Sequence, residues 1–170
     1  MNKEAFKLFL QTAYLWILGI SMGSIIACGM FVAPVIFNAY SFLPDLGITQ
    51  YDSGILMTQV FLKLNTLLNF TAIIILVYEL LAFNLSKRTS FFPLGINIIN
   101  VILIFLFSFY FTPKIIEAQK QGAAATATPE FATIHIQSEY TFKILLVMLT
   151  IGFFARVFLL AKSPVAKAKK

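Results

Sequence analysis

Few residues in this chain of 170 could do chemistry, and they fall into two groups. His135, the only histidine, is followed by Glu139 and Lys143 at i+4 and i+8, so the three share one stripe of a helix. Ser138 lies beside them. Lys63, Asn65 and Asn69 stand at a comparable distance from the start of an earlier apolar segment. Together these residues suit an anion, metal or haem site at the mouth of a bundle, or simply a solvated helix end. One histidine and one carboxylate fall short of the three or four ligands zinc takes, and scattered methionines do not make the soft donor set of copper. The residues themselves call for no cofactor. The second group is Glu79, Arg156, Asn97 and Asn100, ionisable and amide side chains set inside otherwise oily stretches. Such groups are costly in lipid and face a partner or a cavity. Here they suit either a buried ion pair that locks helices together or a polar path for a substrate or proton.

The elements that must position these residues are set by composition. The chain is 59% hydrophobic and only 12% charged, with a mean hydropathy of +0.88. A soluble domain carries about 25% charged residues, so this is an integral membrane protein. Four apolar segments, 8–37, 55–83, 91–111 and 140–161, are each long enough to cross a hydrocarbon core of about 30 Å. Lipid offers no partner to open backbone groups, so the segments are helices and the fold is an all-α four-helix bundle, one domain over residues 1–162. The run through Ile25-Ile-Ala-Cys28 resembles a lipoprotein cleavage box, but the apolar stretch continues to Phe37 and reads as a span.

Orientation follows from the basic residues. Lys3, Lys7, Lys87, Arg88, Lys162, Lys167, Lys169 and Lys170 fall on one side of a four-span topology, against Lys114 and Lys120 in the third connection. The positive-inside rule then places both termini in the cytoplasm of an inner-membrane protein. The tail 163–170 reads as a basic arm touching anionic lipid, not nucleic acid. By the same count Glu79, eight residues before Lys87, and Arg156, six before Lys162, lie at similar depth and can pair if their helices are neighbours.

Local signals add detail. Thr128-Pro129-Glu130 is an N-cap, a first-turn proline and an early acid, so the fourth helix starts near Pro129, well before the membrane. The Ala/Thr-rich stretch before it, 117–130, reads as flexible. Gly19, Gly23 and Ala27 give the first helix a small-residue stripe for close packing, on a helix of this chain or on a second copy in a homo-oligomer. Pro34 and Pro113 precede Lys63 and Lys143 by 29 and 30 residues, a spacing that suggests two parallel helix hairpins. No phosphate loop, nucleophile elbow or carboxylate pair is present, which leans away from an enzyme.

Several of these motifs, in this order, resemble a family. Gly29–Phe37 (GMFVAPVIF) with Pro34 and Phe37 closes the first helix. Ser53-Gly54 precedes Phe61, Thr112-Pro113 ends the third apolar segment, and Phe131, His135 and Ser138 open the fourth helix. The pattern is similar to that of the four-helix membrane family called domain of unknown function 4149, which includes the transmembrane-protein-205-like proteins. That family is distantly similar to copper-resistance-D-like membrane proteins and to a haem-binding membrane oxidase. The resemblance implies a membrane bundle without an established activity. By the distant similarity, His135 would be a haem or metal ligand in a membrane redox enzyme, but no second histidine exists to complete a haem site. The residues fit better a protein that binds or moves a small solute or metal, or assists a membrane partner. A structural subunit docking through the Gly19–Gly23 face is a further alternative.

Overall fold

The computed structural model describes residues 3–85 and 91–162. Lys87, Arg88 and the tail 163–170, on which much of the orientation reading rests, lie outside the described residues. Among those described there are helices and turns and no strand. Four helices are long and apolar enough to cross a membrane: α1 (Lys3–Phe37), α2 (Gln50–Leu85), α3 (Phe91–Lys120) and α4 (Pro129–Ala161). The chain is a multi-pass membrane protein with an all-α bundle fold.

The helices pack as a ring in chain order. Each contacts its sequence neighbours, and α4 closes against α1. Successive helices run antiparallel, so the starts of α1 and α3 meet the ends of α2 and α4. We call this the Arg156 end and the opposite one the His135 end. The interior is a continuous column of large side chains, with Leu18, Leu68, Ile75, Ile104, Leu145 and Leu149 fully buried. Hydroxyls within the spans are neutralised locally, as in Ser21 to the Ile17 carbonyl, Thr71 to Leu67 and Thr150 to Leu146. Bonding to the i−4 carbonyl lets a serine or threonine sit in an apolar helix without an orphaned donor.

Two helices depart from α geometry in the same way. Ala27–Val32 in α1 and Phe107–Phe111 in α3 are π-helical turns, and each ends just before an X-Pro pair, Ala33-Pro34 and Thr112-Pro113. The amide of the residue before each proline bonds five residues back, Ala33 to the Cys28 carbonyl and Thr112 to Phe107. Proline lacks an N–H and its ring crowds the preceding turn, and a widened turn absorbs both defects without breaking the helix. Pro34 and Pro113 are therefore equivalent in local structure as well as in spacing.

The helix ends follow their sequence signals. Thr49 and Asp52 cap α2 reciprocally: the Thr49 amide donates to Asp52 Oδ2 at 2.9 Å, and the Asp52 amide donates to Thr49 Oγ1 at 3.2 Å. Thr128 caps α4, accepting from the Phe131 amide at 3.2 Å, as the Thr-Pro-Glu pattern predicts. The connection expected to be flexible is instead largely helical. α3 continues through Thr112-Pro113 to Lys120, Gly122 turns the chain at a φ of +100°, and Ala123–Thr126 forms one more turn. Alanine-rich sequence is helix-favouring, and Tyr51 holds this segment to α2 by donating to the Gln119 carbonyl at 2.6 Å.

Candidate functional site

Glu79 sits at the centre of the Arg156 end, with no exposed surface. Its Oε1 accepts from Tyr14 Oη at 3.0 Å, Asn97 Nδ2 at 2.7 Å and Arg156 Nε at 2.9 Å, while its Oε2 accepts from Arg156 Nη2. The donors come from α1, α3 and α4, so one carboxylate ties all four helices together. α2 and α4 are not neighbours in the ring. The pair spans the diagonal, which the long guanidinium stem makes possible where direct helix contact does not. Tyr14 and Tyr78 stack at 3.9 Å between centroids, and the guanidinium carbon of Arg156 lies 5.3 Å from the Tyr78 ring centre. Asn100 donates to Asn97 Oδ1 at 3.1 Å and to the Met148 carbonyl at 3.2 Å. Gly152 makes room for this amide pair, because a Cβ there would collide with Asn97. Both carboxylate oxygens are engaged, and the adjoining void, about 50 Å³ between Gln11, Tyr14, Tyr78 and Arg156, holds little more than a water molecule. Within the cluster the charge of Glu79 is spent on the protein's own groups.

The His135 end is built differently. Phe61, Phe107 and Phe142 pack ring to ring at 5.1 to 5.6 Å and close off the core. Beyond them lie two cavities. The larger, about 530 Å³, is walled by Phe37, Met57, Ile115, Phe131 and Ile136 and by the short turn around Ala123 and Ala127. The smaller, about 260 Å³, lies between Gly29 and Ala33 of α1 and Ser138, Glu139 and Lys143 of α4. His135, Phe37, Thr58 and Ile115 line both, so His135 stands where they adjoin.

Most polar groups in these walls are already engaged with the protein. Thr58 donates to the Gly54 carbonyl at 2.9 Å and accepts from Gln119 Nε2 at 2.9 Å. Thr112 donates to the Phe107 carbonyl at 2.9 Å and accepts from Asn65 Nδ2 at 2.9 Å. Ser138 donates to the His135 carbonyl at 2.7 Å. The ionic groups sit at the rim. Glu139 pairs with Lys143 at 3.0 Å and lies 3.6 Å from His135 Nδ1, with all three side chains substantially exposed. An apolar hollow with a hydrogen-bonding edge is the usual form of a small-molecule site.

Lys63 is exposed and lines neither cavity. Asn69 is half-buried, with Oδ1 unpartnered among the protein groups. Among the described residues, a Cβ added at Gly19 or Gly23 would find nothing within 4 Å, so these positions leave open space beside α1. Ala27 begins the first π turn. Among the described residues no three His, Cys, Asp or Glu side chains converge. His135 with Glu139 offers two donors, where zinc takes three or four protein ligands. Missed at the sequence level were Gln119, Thr58, Met57 and Ile115. A glutamine in an Ala-rich connection carries no signal until the continuation of α3 to Lys120 brings it against Thr58 of α2.

The sequence model described as "Domain of unknown function (DUF4149)" matches residues 16–124. The chain belongs to this family. The matched stretch includes Pro34, Glu79, Asn97 and Pro113 and stops before α4, so His135, Ser138 and Arg156 lie outside it. No curated protein and no solved structure matches the chain.

Proposed function

We propose that this family member binds a small amphipathic molecule in the paired cavities at the His135 end, as a membrane-embedded receptor or carrier without catalytic chemistry. One observation carries the reading: an apolar hollow of about 530 Å³ adjoins a second one at His135, and the only ionic groups in their walls stand at the rim. A ligand would place its apolar part against Phe37, Met57 and Phe131 and its polar part near His135, Glu139 and Lys143. With the positive-inside orientation this end faces away from the cytoplasm of an inner-membrane protein. The Glu79 cluster supports the site from a distance by fixing how the four helices converge.

Native mass spectrometry of the protein released from mild detergent tests this reading. The expected spectrum carries a bound small molecule. Ala127→Trp, which places an indole in the wall of the larger cavity from an exposed turn, should lose much of it while the helical circular dichroism is unchanged. Bare protein at all charge states, or equal retention by Ala127→Trp, would overturn the proposal.

A further inference from the structure

The ring of helices is not closed evenly. Along the first part of α1, Lys3–Ile26 packs against α4. At the His135 end the last turns of α1, Ala33–Phe37, pack on α2 instead. The α2–α3 seam is held there by the Thr112–Lys120 segment, and the α3–α4 seam by the same segment together with the second π turn. The α1–α4 seam alone has no comparable packing. The smaller cavity lies in that gap. Gly29 and Ala33 stand on one side, Glu139 and Lys143 on the other, and the Phe142 ring forms the floor, 3.7 Å from where a Gly29 Cβ would be. The gap is on the outer face of the bundle, between two helices that are long and apolar enough to cross a membrane.

Resting on the binding reading above, we infer that the ligand is a bilayer phospholipid whose acyl chain enters sideways through the α1–α4 gap. Three observations support this occupant. Exposed apolar side chains stand on both helices at this level, Met30 and Phe31 on α1 and Ile136, Tyr140 and Ile144 on α4, as suits contact with lipid. The wall hydroxyls Thr58, Thr112 and Ser138 already donate to backbone carbonyls, so the interior is best filled by a group that needs no hydrogen bonds. The rim presents one cation and one anion side by side, Lys143 and Glu139, and Lys143 also lies 5.5 Å from the Tyr140 ring centre. A phosphate flanked by an amine, as in a zwitterionic headgroup, complements that pair. Glycine and alanine on the α1 side leave the gap wide; a larger residue would narrow it.

Quenching by brominated phospholipid reads this directly. Trp16 is the only tryptophan, so Trp16→Phe gives a silent background. In that background Ile115→Trp reports from the wall shared by both cavities, and Ile144→Trp, on the exposed face of α4, reports ordinary lipid contact. In vesicles of dibrominated phosphatidylcholine, Ile115→Trp should be quenched to at least half the extent of Ile144→Trp. Adding Ala33→Phe to close the gap should cut that quenching at least twofold and leave Ile144→Trp unchanged. Ala132→Trp, on an exposed part of the larger cavity wall, provides a second reporter if Ile115→Trp does not fold. Absence of quenching at both reporters, alongside a bound molecule in the native spectrum, would overturn sideways phospholipid entry and leave the binding reading standing. Absence of both signals would overturn the two together.

Discussion

Gly152→Ala tests how tightly the Glu79 cluster is built. The added methyl would fall inside contact distance of Asn97 Oδ1, 3.2 Å from Asn100 Nδ2 and 3.3 Å from Asn97 Cγ. Neither amide can simply turn away. Asn97 donates to Glu79 at 2.7 Å, and Asn100 is held by Asn97 and by the Met148 carbonyl. Overpacking a filled interior costs about 1–3 kcal/mol. A hydrogen bond to a charged group contributes about 1.5–3 kcal/mol, and withdrawal of Asn97 would weaken one. Replacing glycine by alanine within a helix returns about 1 kcal/mol. The net expectation is a loss of about 2–4 kcal/mol, read as reduced resistance to unfolding in a titration of mild detergent with dodecyl sulfate. Asn97→Ala in the Gly152→Ala background removes the clash, so the double variant should be more stable than the sum of the single losses predicts. A Gly152→Ala protein as stable as the parent, or strictly additive losses, would refute close packing at this point.

Glu79→Gln and Arg156→Gln should each lower stability in the same titration by about 3–5 kcal/mol, since each leaves an unpaired charge inside the bundle, and the double change should recover part of that loss. Thr128→Ala removes the cap of α4 and should cost about 1 kcal/mol, visible as faster amide exchange at Phe131 with no change near Glu79. Gln119→Leu removes the bond to Thr58 but keeps the Tyr51 bond to the residue 119 carbonyl, so it should loosen the 112–120 segment and modestly raise protease cleavage between Lys114 and Gly122, and adding Tyr51→Phe should raise it further.

Much of the fold was legible because lipid imposes one rule: apolar runs of sufficient length become helices, and their ends are written in caps and prolines. The start of α4 at Pro129 could be read from three residues. Counting along helices placed Glu79 and Arg156 at one depth, but no count along single helices reveals that they meet across a diagonal. That depends on ring order, and on Tyr14 and Asn97 arriving from the other two helices. The cavities were hidden for the same reason. The smaller lies where one seam of four stays open and the larger under the turn that links α3 to α4, so both are properties of packing between helices rather than of any one sequence segment. His135 drew notice by its rarity, whereas Gln119 and Ile115, which shape the same walls, look like ordinary residues.

The π turns of α1 and α3 have a consequence in phase. Each inserts one extra residue into a helix that otherwise repeats every 3.6, which swings every later side chain by about 100° around the axis. On α1 the residues buried before the turn are Tyr14, Ile17, Leu18, Ser21 and Ile25, and none of Ala27–Phe37 is buried. Past that insertion the helix presents a different side to its neighbours, and its end leans on α2 while α4 is left uncovered. Removing one residue between Ala27 and Val32 would restore the earlier phase and turn Ala33–Phe37 by about 100° around the axis.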